Sequence, residues 1–74
     1  MKKSLISVGK TYADDSDGIR KVIELVNDQW GNIVVSYVMI AGHRKDAPSS
    51  TLDGLPVHGC YLQSFATWAK KEID

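Results

Sequence analysis

Residues Ile19 to Val26 read Ile-Arg-Lys-Val-Ile-Glu-Leu-Val, and two incompatible structures suit them. As a helix, Ile19, Val22, Ile23 and Val26 fall at i, i+3, i+4 and i+7. They make one apolar face and leave Arg20, Lys21 and Glu24 outside. As a strand, Arg20, Val22, Glu24 and Val26 share one face, while Ile19, Lys21, Ile23 and Leu25 share the other. Periodicity favours the helix slightly. Composition and context oppose it: four of the eight residues are β-branched, Asp17-Gly18 stands directly before, and a tight turn follows. The stretch is read as a strand, which makes the protein mainly β.

Working outward, Leu5 to Ala13 is an N-terminal strand, with Val8 and Tyr12 turned inward and Lys10 between them. Asp14 to Gly18 is a turn, since Gly tolerates positive φ and Asp bonds back to nearby backbone. Asn27 to Asn32 is a second turn. It leads into Ile33 to Ile40, where nearly every residue is apolar, β-branched or aromatic, as in a strand covered on both faces. Residues 41–55 form a long polar loop with Pro48, two serines and Gly54, and Pro56-Val57-His58 resumes a short strand. Residues 62–73 are helical, with Ser64 as N-cap. Phe65, Trp68 and Ala69 lie on one helix face, and Lys70 and Lys71 suit the negative end of the helix dipole. The expected class is α+β, mainly β: a small curled antiparallel sheet of three to five strands, capped by one C-terminal helix, in a single domain over 1–74.

The order of motifs along the chain resembles that of small phage- and prophage-encoded proteins with an SH3-like barrel. Gly9 and Tyr12 match the first element of that pattern, and Arg20, Val22 and Leu25 the second. Val35 and Tyr37 match the third, and Phe65, Trp68 and Ala69 the last. The resemblance implies an SH3-like barrel or curled sheet and a strand at 19–26. It carries over no catalytic residue and no cofactor, and the loop at 41–55 falls outside the pattern.

Size and charge narrow the function. A chain of 74 residues buries only about 60% of its unfolded surface, and its core supplies no more than roughly 3–5 kcal/mol of net stability. A binding pocket of about 300–1,000 Å³ is a large void for such a core, so an enzyme is not expected. Nine basic residues balance nine acidic ones, whereas a duplex-DNA binder draws affinity from a basic excess. Cys60 is the only cysteine, so no internal disulfide forms, which points to a reducing compartment. The apolar run after Lys2-Lys3 is too short for a signal peptide, and no stretch approaches the roughly 20 apolar residues of a membrane span. The expected location is the cytoplasm.

Four chemical motifs fail on inspection. Gly9-Lys10-Thr11 ends like a phosphate-binding loop, but Ser4 stands where the leading glycine belongs and an acidic turn replaces the helix. His58, Cys60 and His43 fall short of the four ligands of structural zinc. Nothing in the spacing joins Cys60, a histidine and Asp46 or Asp53 into a triad. Asp14-Asp15-Ser16-Asp17 suggests a calcium loop, yet Leu25 occupies the position of the closing glutamate. No metal or other cofactor is expected.

What remains is a surface. Trp30 sits in a turn, where a large aromatic is costly to expose without purpose, and tryptophan is enriched at interface hot spots. His43, Arg44 and Lys45 put three basic groups on the long loop, a class of loop that is often functional. Tyr37 and Tyr61 are supporting aromatics. These residues point to a non-enzymatic module that binds a protein partner. A nucleic-acid-binding β-barrel is the second reading, and a homodimeric structural protein the third. No membrane partner is expected.

Overall fold

Residues 19–26 are indeed extended. In the computed structural model, which describes all residues except His43, Lys45, Asp46 and Asp74, Ile19–Asn27 is a nine-residue strand, β2. It pairs antiparallel with β3, Ile33–Ala41. The helical spacing within it has a physical cause: Val22 pairs with Tyr37, but Glu24 and not Ile23 pairs with Ser36. Ile23 is the extra residue of a bulge, which breaks the two-residue alternation. Val22 and Leu25, three apart, therefore lie on the same face. A second shift between Ile19 and Arg20 leaves Ile40 as the extra residue on β3.

Four more strands complete an open sheet. They are β1 (Thr11–Ala13), β4 (Ser50–Leu52), β5 (Leu55–Tyr61) and β6 (Lys71–Ile73). The order is β4-β5-β3-β2-β1-β6, every pairing is antiparallel, and the sheet does not close into a barrel. Three rows of side chains cross the face that the helix covers. They are Tyr12–Arg20–Met39, Val22–Tyr37–His58 and Leu25–Val35–Cys60. The helix, α1, spans Leu62–Trp68 and places Phe65 over these rows. Phe65 is fully buried and meets Tyr12 edge-on at 5.6 Å, Tyr37 at 5.5 Å and Trp68 at 5.3 Å between ring centroids. Such geometry adds about 0.5–1.5 kcal/mol per pair beyond area burial. The class is α+β, mainly β, as the residue pattern implies.

Several boundaries differ from expectation. The N-terminal segment is not one strand. Lys3–Leu5 is a 3-10 turn, the strand covers Thr11–Ala13 alone, and Val8 is exposed rather than turned inward. Tyr12 is fully buried; its hydroxyl donates to Leu5 O at 2.7 Å and accepts from Ser7 N at 2.8 Å, pinning the turn to the core. The long loop is shorter than 41–55, because β4 lies inside it. Asp53 (φ 52°) and Gly54 (φ 81°) both adopt the left-handed region that a two-residue hairpin turn requires. The helix does not reach residue 73. Tyr61, not Ser64, is its N-cap, and Ala69 is its C-cap. Beyond that point Lys70 N donates to Ala13 O at 2.9 Å, and residues 71–73 pair with the free edge of β1 as β6. The sheet thus has six strands instead of three to five. No helix among the described residues is long and apolar enough to cross a membrane.

Candidate functional site

The turn joining β2 to β3 is built by one carboxylate. Asp28 Oδ1 accepts from Trp30 N at 2.9 Å and from Asn32 N at 2.8 Å, and Asn32 Nδ2 donates to Oδ2 at 3.4 Å. The backbone adds Asp28 N to Asn32 O at 2.8 Å and Gly31 N to Asp28 O at 3.3 Å. Gly31 has φ 83°, which lets the chain turn back without strain. The Asp28 carboxyl lies below its ordinary pKa: desolvation is the largest single influence and pushes it up, but the hydrogen bonds from the Asn32, Trp30 and Gly31 N–H groups and the Asn32 side chain together outweigh that. At the crest of this ordered turn Trp30 is 74% exposed.

Tyr61 belongs to the same end of the molecule. It pairs with Val34, next to the base of the turn, and is 52% exposed. Gly31, Asn32 and Ile33 line a shallow groove of about 230 Å³ together with Tyr61, Gln63 and Lys3. Trp30, Ile33 and Tyr61 thus form an exposed apolar set beside that groove, with Lys3 at its rim.

Tyr37 and Arg44 lie elsewhere and meet each other. Tyr37 is fully buried in the centre of β3, and its hydroxyl accepts a hydrogen bond from Arg44 Nη1. It stacks on His58 across the strands, with centroids 6.0 Å apart and the planes 28° from parallel. Its part is to support buried structure, not to offer a contact surface. His43 and Lys45 lie outside the described residues. The four candidates among the described residues therefore split, with Trp30 and Tyr61 at one end and Tyr37 with Arg44 at another place.

The second cluster contains two residues that sequence reasoning passed over as site members. The Arg20 guanidinium carbon sits 4.0 Å from the centroid of the Trp68 ring and 4.7 Å from that of Tyr37. Burial pushes the Arg20 pKa down, and nearby Arg44 adds to this. Burial also raises the Cys60 thiol, although both arginines act to lower it. Cys60 is thus held as the neutral thiol, a poor nucleophile. Asp14 lies below its usual range because Ser16 N donates to it, helped by Gly18 N and the Trp68 indole. Arg20 was legible as the charged member of a mixed strand face, but only the register shows that this face is the covered one.

Comparison with protein-family models, with curated proteins and with solved structures finds no match for this chain. The functional argument therefore stands on geometry.

Proposed function

We propose that this chain is a non-enzymatic binding module that holds a protein partner through the Trp30 end. The observation that carries it is an indole 74% exposed on a turn that Asp28 keeps ordered. A turn whose backbone is already held in place loses little conformational entropy on association. Ile33, Tyr61 and the adjoining groove supply the surrounding apolar contact, and residues of this kind dominate interface energetics. The motif order read from the sequence supports placing such a module among cytoplasmic accessory proteins of phages, prophages or mobile elements.

Affinity capture with the wild-type chain and with Trp30→Ala tests the reading. The expected result is one or more proteins held by the wild type and lost from the variant, with unchanged thermal melting of the bait. Identical capture by the two sinks it. For a partner identified in this way, truncating a hot-spot tryptophan costs about 2 kcal/mol or more.

A homodimer has an observation of its own. On the sheet face away from α1, Ile40, Leu52 and Leu55 are exposed. They line a groove of about 210 Å³ with Ile23, Lys21 and Asp53. Two of these residues, Ile23 and Ile40, are the extra residues of the bulges. Under this reading, sedimentation gives a weight-average mass that rises with concentration in the wild type and stays monomeric in Ile40→Glu.

A further inference from the structure

Strand β2 is partnered unevenly. On one side β3 follows it from Ile19 to Asn27. On the other side β1 pairs with Ile19, Arg20 and Lys21 alone. Val22 is the last residue held there: its carbonyl accepts from Gly9 N at 2.8 Å, and its N–H donates to Lys10 O at 3.0 Å. Among the described residues no strand borders 23–27 on that side, and α1 packs over β3, β5 and the Lys3–Leu5 turn. Glu24, Leu25, Val26 and Asn27 are accordingly exposed one after another, on both faces of the strand.

The ladder shows which backbone groups are left over. Asp28 N donates to Asn32 O across the hairpin, so Asp28 faces β3. In an antiparallel ladder the direction alternates residue by residue. Val26 and Glu24, opposite Val34 and Ser36, therefore face β3 as well, and Leu25 and Asn27 send their N–H and C=O groups outward. The bulge at Ile23 shifts the count by one and returns Val22 to the outer side, where its bonds to Gly9 and Lys10 are found. Leu25 and Asn27 thus present two donors and two acceptors, about 6.8 Å apart along the strand.

Open edges recruit another strand unless they are short, charged or interrupted by proline. The outermost strands, β4 and β6, are three residues each, and β6 carries Lys71 and Glu72. The open part of β2 has one charge, Glu24, beside Leu25 and Val26, and no proline. What matches alternating donors and acceptors at this spacing is a second extended backbone. A second copy of this chain fits poorly. Pairing about Val26 sets Glu24 opposite Asp28, two carboxylates face to face. Pairing about Leu25 runs Asp28 onto Val22, whose groups Gly9 and Lys10 already hold. We propose that the outer edge of β2 at residues 23–27 is a strand-addition site for an extended segment of a different protein, with a basic residue opposite Glu24 and apolar residues opposite Leu25 and Val26. The site rests on backbone groups and stands whether or not the Trp30 indole makes a contact.

The test titrates the isotope-labelled whole chain with a capped peptide, Thr-Val-Val-Lys-Thr, and follows its backbone amides by NMR. Lying antiparallel, the peptide sets its lysine opposite Glu24 and its central valine opposite Leu25. The expected result is a saturable shift and slowed exchange of the Leu25 and Asn27 amides. The Glu24 and Val26 amides, already bonded to β3, keep their exchange rates. N-methylation of the central valine removes the N–H that meets Leu25 O and should weaken binding about fivefold. Exchanging the peptide's lysine for glutamate should weaken it as well. Asn27→Pro removes one outward donor and leaves the bonds to β3 in place, so it should also cost about fivefold. The methylated peptide on the wild-type chain keeps the test independent of how that variant folds. No saturable shift, equal binding of the methylated peptide, or shifts confined to β4 or β6 overturn the proposal. So does slowing of Leu25 and Asn27 exchange with rising protein concentration and no peptide, which assigns the edge to a second copy.

Discussion

Tyr12 shows how a single polar atom organises the amino-terminal segment. Its ring is fully buried against Phe65, while its hydroxyl joins Leu5 O and Ser7 N. Tyr12→Phe keeps the ring and leaves a carbonyl and an N–H unpaired. The expected loss is about 1–3 kcal/mol of unfolding free energy, measurable by urea denaturation with an unchanged m-value. Trp30 is the contrasting case. With most of its surface in water, Trp30→Ala should change stability by no more than about 0.5 kcal/mol in the same experiment. The inward face of Tyr12 could be read from the sequence because a large aromatic in a strand beside the polar Thr11 is expected to turn to the core. The exposure of Val8 could not, because it depends on a turn within the segment that the hydroxyl of Tyr12 holds through Leu5 O and Ser7 N.

At the scale of elements, the turn at 28–32 depends on the charge of Asp28. A carboxyl whose folded pKa is depressed contributes order that is fully present above the unfolded value, about 3.9. That contribution is lost as pH falls through the lower folded value. Between about pH 5 and 7 the exchange protection of the Trp30 and Asn32 amides should therefore be constant, and it should decline below about pH 4. Asp28→Ala should show the low-pH behaviour at all pH values. This turn was legible because Asn, Asp and Gly all act locally. The same locality made the β4–β5 hairpin readable in principle, since Asp53-Gly54 stands between Leu52 and Leu55. Its polar surroundings hid it. The end of the helix had no local signal. Phe65, Trp68 and Ala69 keep helical spacing, but residues 71–73 are extended because the edge of β1 is there to receive them, a fact of tertiary structure.

For the whole molecule, the open sheet separates two regions. Helix and strands enclose the Arg20 cluster on one face, and the β2–β3 turn carries Trp30 beyond the sheet. Trp30 and Tyr61 were recognisable because aromatics beside turn residues attract attention wherever the sheet lies. Arg20 and Tyr37 needed the register, which pairs Val22 with Tyr37 and Tyr37 with His58. A bulge also changes what the chain tolerates in length. Deleting a residue from a strand ordinarily moves everything beyond it to the opposite face. Ile23 has no cross-strand partner, and its neighbours Val22 and Glu24 already stand opposite the consecutive residues Tyr37 and Ser36. Removing Ile23 alone should leave a folded protein with a straighter β2 and Leu25 still opposite Val35. Removing Leu25 instead should abolish cooperative unfolding. Circular dichroism melts of the two deletion variants distinguish these outcomes. Position 23 is thus a place where this chain can lose a residue and keep its fold.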